Sequence, residues 1–243
     1  MSSPVETYVL ERIRAAQVIA DPFAHCVIDD AFPPDFFEDI IDHWPDDAAF
    51  VPIPETGRTG AAYRERRVLI LRDSDLGRLD DRRRAFWQTR VAAWLMRETF
   101  ARAVAEKFPQ ELAQAHPDWR TRPLRGDALI VSDRTHYALG PHTDSPRRAA
   151  SLLFYLPEDS AFQRFGTSLY VPHDPAFRSA GGPHYNVAGF IRVKTIEFVP
   201  NRLLMFPKTD RCFHGVEPVD LPDIERRLLL YDVQWVKDGA AAA

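Results

Sequence analysis

The sequence predicts a mainly β protein of the α+β class, in which helices cover an antiparallel sandwich or barrel. Helical periodicity dominates the first half, whereas short apolar or alternating runs follow Trp119, separated by Gly, Pro, Asn and Asp. Such consecutive strands favour an antiparallel arrangement over a parallel sheet with crossover helices. The 243 residues suffice for one core. We expect one domain over 1–238, with helices mainly in 1–120 and strands mainly in 125–236, and a tail over 239–243.

The first half is predicted to contain three helices and two strands. In the first helix Val9 and Ile13 recur on one side, and the longest helix carries an aromatic stripe that includes Trp87 and Trp94. In chain order the elements are a helix over 4–19, a strand over 23–32, a helix over 36–44, a strand over 66–71 and a helix over 82–108. Pro and Gly residues in the segment 45–62 indicate an exposed loop.

The second half is predicted to form the sheet core. Its short runs are bounded by turn residues and are typical of strands. They cover residues 128–132, 150–156, 167–171, 191–198, 202–206 and 228–235. The segment 172–190 is long for a strand connection. If Gly181 and Gly182 act as hinges, His184 and Tyr185 could close over a substrate as a lid, and an ordinary surface insertion is the alternative.

Composition and charge exclude several classes of protein. The net charge is −4 and the pI is about 6.1, so no global basic field is present to attract nucleic acid or anionic lipid. Cys26 and Cys212 lie far apart without CxxC spacing, which indicates neither a disulfide framework nor a zinc finger. With no export signal and no long apolar window, we expect a cytoplasmic protein that binds neither nucleic acid nor a membrane. The sequence indicates no particular oligomeric state.

One short stretch, residues 137–144, carries the residues most suited to chemistry. His142 and Asp144 are two apart, so an extended strand would place both side chains on one face. His214 would supply a third ligand, and two His plus one carboxylate with open positions suits a non-haem Fe(II) oxygenase. A His-x-Asp pair is common by chance, so the hypothesis depends on the sequence around it.

Taken in chain order, four segments resemble the Fe(II)- and 2-oxoglutarate-dependent oxygenases. The segments are residues 137–144, 201–206, 214–219 and 226–227. That superfamily has His-x-Asp after one strand of a double-stranded β-helix, then a distal His in a His-x-Val-x-x-Val context, then an Arg further along. The resemblance covers about residues 125–236. It implies a cupin-like jelly roll with N-terminal and flanking helices.

The resemblance also implies the cofactors and their ligands. His142, Asp144 and His214 would be the catalytic metal ligands, holding Fe(II) with sites left for 2-oxoglutarate and O2. The far carboxylate of 2-oxoglutarate would bind an Arg, because a guanidinium offers a planar, permanently charged fork. Arg226 and Arg227 both match the position of that Arg.

Strand alternation allows only one of the two arginines to face the pocket. Arg226 is favoured, because the opposite face would then form a continuous apolar row from Leu229 to Trp235. The family often has Ser or Thr two residues after this Arg. In this sequence the residue two positions after either candidate is Leu. Tyr137 is a candidate to supply a hydroxyl instead, and a packed strand Tyr is the alternative.

The implied function is a dioxygenase that hydroxylates a small metabolite, such as an amino acid, sugar or peptide-like compound, with release of succinate and CO2. Asp144 favours hydroxylation, or another halide-free oxidation such as desaturation, over halogenation, because halogenating relatives are expected to lack this carboxylate. The alternatives are a prolyl-hydroxylase-like enzyme acting on a protein, a cupin-type zinc or manganese enzyme, and a non-catalytic jelly-roll binding module. Four arginines near the predicted mouth would favour an anionic substrate, unless they are ordinary surface residues. They are Arg134, Arg147, Arg148 and Arg164.

Overall fold

The structure is a computed structural model that describes residues 2–59 and 62–236. The expected tail and the last two residues of the predicted domain lie outside the described residues. The helices are α1 (Pro4–Ala15), α2 (Pro34–Asp42), α3 (Asp73–Leu76), α4 (Asp81–Ala85), α5 (Ala93–Leu95), α6 (Glu98–Ala105) and α7 (Pro109–Ala115), with a π-helical segment (Phe86–Ala92) between α4 and α5. Within the described chain no helix has both the length and the apolar character needed to cross a membrane.

Eleven strands form the rest of the described fold. They are β1 (Cys26–Ile28), β2 (Val51–Pro52), β3 (Arg66–Ile70), β4 (Leu124–Arg134), β5 (Leu139–His142), β6 (Arg148–Tyr155), β7 (Thr167–Pro172), β8 (Phe190–Ile196), β9 (Arg202–Pro207), β10 (His214–Val216) and β11 (Glu225–Trp235). The large sheet has the order β1-β9-β6-β11-β4-β3-β2, and the small sheet has the order β5-β10-β7-β8. The strands in both sheets pair antiparallel, as predicted.

The large sheet has two distinct faces, which follow from alternation along β11. Leu229, Tyr231 and Val233 are fully buried among the aromatic residues of the helices, such as Trp94 and Phe100. Burial of this outer face is the main hydrophobic contribution that holds the helical layer on the sheet. The other face of β11 is directed to the interior between the two sheets, where the cavity described below lies.

Several predicted elements differ in extent from those in the structure. The helix predicted over 4–19 ends at Ala15, and the strand predicted over 23–32 is only β1. The described part of the 45–62 segment is not simply an exposed loop, because it contains β2 and buries Phe50 and Ile53.

The single helix predicted over 82–108 is wrong, because the chain there forms α4, the π-helical segment, α5 and α6. The backbone of Arg97 is extended, with ψ 143°, and it separates α5 from α6. The aromatic residues before and after this break both pack on the sheet, so the hydrophobic periodicity continues across it. No Gly or Pro lies at the break to indicate it in the sequence. Pro109 begins α7, where its missing N–H costs no hydrogen bond.

Candidate metal centre and its cavity

His142, Asp144 and His214 lie together at the edge of the small sheet. His142 ends β5 and His214 begins β10, and the two residues are direct partners in the antiparallel pairing of these strands. Nε2 of each imidazole lies 3.9 Å from an oxygen of Asp144, and the three candidate ligand atoms are within 4.8 Å of one another. A metal bound at about 2.1 Å spans ligand atoms up to about 4.2 Å apart. Both 3.9 Å separations are within this span, so the three side chains can bind one ion once the two imidazoles move slightly closer together.

Backbone carbonyls orient both imidazoles. Nδ1 of His142 is 3.1 Å from the Gly140 carbonyl, and Nδ1 of His214 is 2.9 Å from the Cys212 carbonyl. Each Nδ1–H therefore donates to a carbonyl, which leaves the Nε2 lone pair directed at Asp144. Burial lowers the pKa of both imidazoles, so they are neutral at pH 7, which is the state that binds a metal.

Asp144 is held by a buried polar network. Burial alone would raise its pKa, but Arg148, the two imidazoles and Ser151 together lower the pKa well below its usual range. Arg148 donates to Oδ1 at 2.5 Å, and Ser151 donates to Oδ2 at 2.7 Å. Asp232 lies behind these groups, and its burial raises its pKa to about 7. Since each oxygen of Asp144 accepts only one described bond, each keeps a lone pair for a metal.

Ser151→Ala is expected to weaken metal binding without unfolding the protein. The variant removes the hydroxyl that fixes Oδ2 of Asp144, and changes in such outer partners cost about 10–100-fold in metal affinity. Titration of the protein with Fe(II) under argon measures the affinity. Ser168→Ala is the matched control, because Ser168 is also buried but pairs with Thr195 away from this network. Equal affinities in the two variants would contradict the positioning role of Ser151.

A cavity of about 810 Å³ opens beside the three residues and runs between the sheets. Its middle is apolar, with Ile70, Leu129 and Leu230 on the floor. Its two ends are rich in arginine. A volume of this size is within the range of small-molecule sites.

At the inner end of the cavity one carboxylate lies between two guanidinium groups. Asp133 is fully buried and accepts from Arg66 at 2.6 and 2.9 Å and from Arg226 at 2.8 Å. Arg66 also stacks over the ring of Tyr137, with its Cζ 4.5 Å from the centroid. Two positive charges and one negative charge leave a surplus positive charge at this end of the cavity.

Two buried donors at this inner end have no partner among the described residues. They are Nη2 of Arg226, which is fully buried, and the hydroxyl of Tyr137. Buried polar groups are normally hydrogen-bonded, and leaving one unpaired costs about 1–3 kcal/mol. Together with the surplus charge, these donors form a site suited to an oxyanion.

Arg227 lies on the opposite face of β11 from Arg226. It is paired with Glu158 at 2.6 Å and Glu225 at 2.9 Å, and its guanidinium packs over Trp44. It does not line the cavity as the structure describes it. The role of Arg226 as the ligand of a co-substrate carboxylate stays a prediction.

The segment 172–190 crosses directly over the metal centre. Tyr185 N–H donates to the Pro141 carbonyl at 2.9 Å, and the Thr143 hydroxyl donates to the Ser179 carbonyl at 3.0 Å. His184 packs on the imidazole of His142, with ring centroids 4.5 Å apart. Nδ1 of His184 also lies against the hydroxyl of Tyr63. These contacts place the segment as a roof over one side of the cavity.

Gly181 is required where this roof crosses the backbone of Asp144. Its φ is +111°, and an added Cβ would lie 2.0 Å from the Asp144 carbonyl oxygen. Gly182 has a similar φ of +105°, but a Cβ there would meet open space. Alanine substitutions at the two glycines therefore separate two effects. Both would strain the backbone, but only the one at Gly181 would also cause a steric clash.

We expect Gly181→Ala to destabilise the protein more than Gly182→Ala does. Both variants strain the backbone by about 1–3 kcal/mol, and only the first adds a collision that costs about another 1–3 kcal/mol. The displaced Asp144 backbone would also weaken metal binding in Gly181→Ala. Urea unfolding and Fe(II) titration of the two variants measure both effects. Equal stability and equal Fe(II) affinity of the two variants would mean that the roof is not in close contact with the Asp144 backbone in solution.

The structure corrects part of the expected mouth of the cavity. Arg147 and Arg148 line the cavity, as expected. Arg134 instead pairs with Asp47 and Glu225, and Arg164 pairs with Asp220 outside the cavity. Arg134 ends β4, Arg164 lies in a short 3-10 helix (Gln163–Phe165), and neither side chain lines the cavity as the structure describes it.

Sequence reasoning missed two residues of the inner cluster, Arg66 and Asp133. Alternation along β3, with Val68 and Ile70 buried, is a signal that would have placed Arg66 inside. Cys212 is not in the metal cluster, since its thiol is buried and bonded to the Thr209 carbonyl at 3.2 Å. Burial raises the pKa of Cys212 to about 11.

Comparisons with known proteins support the fold assignment. No protein-family model matches the sequence, and a search of curated proteins finds no match. The fold is similar to a crystal structure of prolyl 4-hydroxylases from Phytophthora capsici, with a TM-score of 0.54 and 14% identity over 99% of this chain and 68% of that chain. This similarity confirms the predicted fold class, a mainly β jelly roll with added helices.

Two further structures match with lower TM-scores. A Pseudomonas putida prolyl-4-hydroxylase has a TM-score of 0.48 and 14% identity, covering 96% of this chain and 100% of that chain. The non-haem α-ketoglutarate-dependent epimerase SnoN from nogalamycin biosynthesis has a TM-score of 0.48 and 14% identity, covering 97% of this chain and 85% of that chain. The fold assignment rests on the first comparison alone.

Proposed function

We propose that the protein is an Fe(II)- and 2-oxoglutarate-dependent oxygenase that hydroxylates a small molecule. One observation carries the proposal. His142, Asp144 and His214 converge on a single point beside a cavity, and the inner end of this cavity presents the unpartnered donors of Tyr137 and Arg226. A metal site and an oxyanion site in one cavity are what a chelating dicarboxylate co-substrate requires.

The three donor side chains fit iron. Two neutral imidazoles and one carboxylate are the facial ligand set of non-haem Fe(II) oxygenases, and they leave positions open. The Nδ1–H bonds to backbone carbonyls and the bonds to Asp144 would hold these ligands in place before the metal arrives. When bound, iron would supply the activation of O2 that is coupled to conversion of 2-oxoglutarate into succinate and CO2.

The inner cluster would hold the far carboxylate of 2-oxoglutarate. Nη2 of Arg226 and the hydroxyl of Tyr137 would donate to it, and Arg66 would add a second positive charge. Asp133 fixes both guanidinium groups, so they are positioned before the co-substrate binds. Charge-assisted bonds in a buried site are stronger than neutral ones.

The roof formed by 172–190 favours a small molecule over a protein as the substrate. His184 and Tyr63 contact each other above the metal centre and limit access from that side. A protein substrate would need an open groove there. Asp144 occupies the position that a halide would need, so hydroxylation is favoured over halogenation.

The decisive experiment is anaerobic addition of Fe(II) and 2-oxoglutarate to metal-free protein. A weak visible charge-transfer band is expected, because 2-oxoglutarate would chelate the iron. Zn(II) is the control metal and should give no band. The band distinguishes the oxygenase from a zinc or manganese enzyme and from a binding module. No band, together with no succinate formed in air across a panel of metabolites, would overturn the proposal.

A further inference from the structure

We infer that the outer end of the cavity holds a second oxyanion site, in which Arg125 and Arg147 bind a carboxylate or phosphate group of the primary substrate. This inference rests on the proposed oxygenase function and names the class of substrate on which it acts. The site is separate from the inner cluster, because Arg125 pairs with Gln234 on β11, eight residues from Arg226.

The charges at the outer end identify these two arginines. Apart from Arg66 and Arg226 of the inner cluster, five arginines line the described cavity, and three of them have acidic partners. The paired ones are Arg58 with Asp127 at 2.6 and 2.8 Å, Arg72 with Asp75, and Arg148 with Asp144 and Asp232.

The other two arginines have no acidic partner among the described residues. Arg125 bonds only to the neutral Gln234, at 3.1 Å, and no described side chain pairs with the guanidinium of Arg147. Both arginines are exposed at the cavity mouth. The acidic group that affects Arg125 is Asp127, which is itself bonded to Arg58. No carboxylate is thus bonded to Arg125 or to Arg147 among the described residues. A guanidinium in this state is suited to bind a planar carboxylate or a phosphate.

The strand register places the two arginines at one edge of the cavity floor. Gln234 on β11 is paired with Arg125 on one side and Arg148 on the other. Arg147 immediately precedes Arg148, and its carbonyl accepts from the Trp235 N–H at 2.9 Å. Arg125 and Arg147 are thus brought to the same edge from two different strands.

The metal centre lies between this edge and the inner cluster. Asp144 is bonded to Ser151, and Ser151 is paired with Asp232 on the neighbouring strand. Along β11, Asp232 is two residues from Gln234 and six residues from Arg226. The outer site and the inner cluster thus lie on opposite sides of the candidate metal centre along β11. The substrate would therefore be an acid that binds with its anionic group at the outer edge and the rest of the molecule directed toward the candidate metal centre.

The test pairs acids with neutral analogues. Metabolites that carry a carboxylate or a phosphate monoester are compared with their primary amides or free alcohols, as stimulators of succinate formation. The variants are Arg125→Gln/Arg147→Gln and, as control, Arg164→Gln, which removes an arginine of the surface ion pair with Asp220. We expect only the acids to stimulate the wild type. Whether carboxylates or phosphates do so identifies the natural anionic group.

The double variant is expected to raise the KM for the stimulating acid on the order of 10- to 100-fold, because bonds to charged groups are lost. The kcat and the charge-transfer band with 2-oxoglutarate should be unchanged, and the control should behave as wild type. Equal stimulation by neutral analogues, or an unchanged KM in the double variant, would overturn the inference while leaving the oxygenase proposal intact.

A binding measurement tests the outer site without any turnover. Equilibrium dialysis with radiolabelled sulfate, on metal-free protein, counts the oxyanions bound per chain. The double variant is expected to bind one sulfate fewer than the wild type and the Arg164→Gln control. Equal sulfate binding by all three proteins would overturn the second site. This result decides the inference even if the charge-transfer experiment fails.

Discussion

His142→Ala and His214→Ala are each expected to abolish turnover. Each variant removes one of two imidazoles whose Nε2 atoms lie 3.9 Å from Asp144, and the two remaining ligands cannot hold iron firmly. Changes to outer partners of metal ligands already cost about 10–100-fold, so loss of a ligand should cost more than about 100-fold. Iron content after dialysis and succinate formation measure the effect.

The fold should survive both substitutions, because both imidazoles line the cavity and the one core residue that His214 packs on, Phe206, keeps its other apolar neighbours. Circular dichroism and a thermal midpoint close to that of the wild type check this. His173→Ala is the control, since His173 is exposed on the same segment as His184 but away from the centre. Full iron retention by His214→Ala would contradict the assignment of the metal centre.

Arg226→Ala is expected to raise the 2-oxoglutarate requirement strongly. The variant removes the buried Nη2 donor, and hydrogen bonds to charged groups contribute about 1.5–3 kcal/mol, which corresponds to about 10–150-fold. It also leaves Asp133 paired with Arg66 alone, so a loss of stability is expected as well. The KM for 2-oxoglutarate and the free energy of unfolding separate the two effects.

Two companion variants sharpen this test. Arg226→Lys keeps the charge but loses the fork, and it should recover stability more than co-substrate affinity. Arg227→Ala should leave the KM for 2-oxoglutarate unchanged, because Arg227 pairs with Glu158 and Glu225 on the far face of β11. A normal Arg226→Ala with an impaired Arg227→Ala would reverse the assignment.

The sequence predicted the convergence of His142, Asp144 and His214 better than the cavity around them. His142 and Asp144 are local neighbours, so a short motif is enough to indicate them. The superfamily resemblance implied that the distal His214 joins them, and direct pairing of β5 with β10 is what brings it there. Strand alternation likewise placed Arg226 and the apolar row from Leu229 onward on opposite faces.

The inner arginine cluster could not be predicted in the same way. Arg66, Asp133 and Arg226 meet because β3, β4 and β11 pair in one register, and local sequence does not determine register between distant strands. The break at Arg97 was missed for a different reason, since both halves of the helical stripe bury apolar residues against one sheet. Hydrophobic periodicity indicates which face of a helix is buried, but it does not indicate where the helix axis changes direction.

Asp133 between Arg66 and Arg226 has a further consequence for the whole molecule. A dehydrated cluster with an unbalanced charge opposes folding, and any small oxyanion that enters it offsets that cost. A species that binds only the native chain shifts the unfolding equilibrium by mass action. Resistance of this protein to heat should therefore depend on the anions dissolved around it, even where iron and oxygen are withheld.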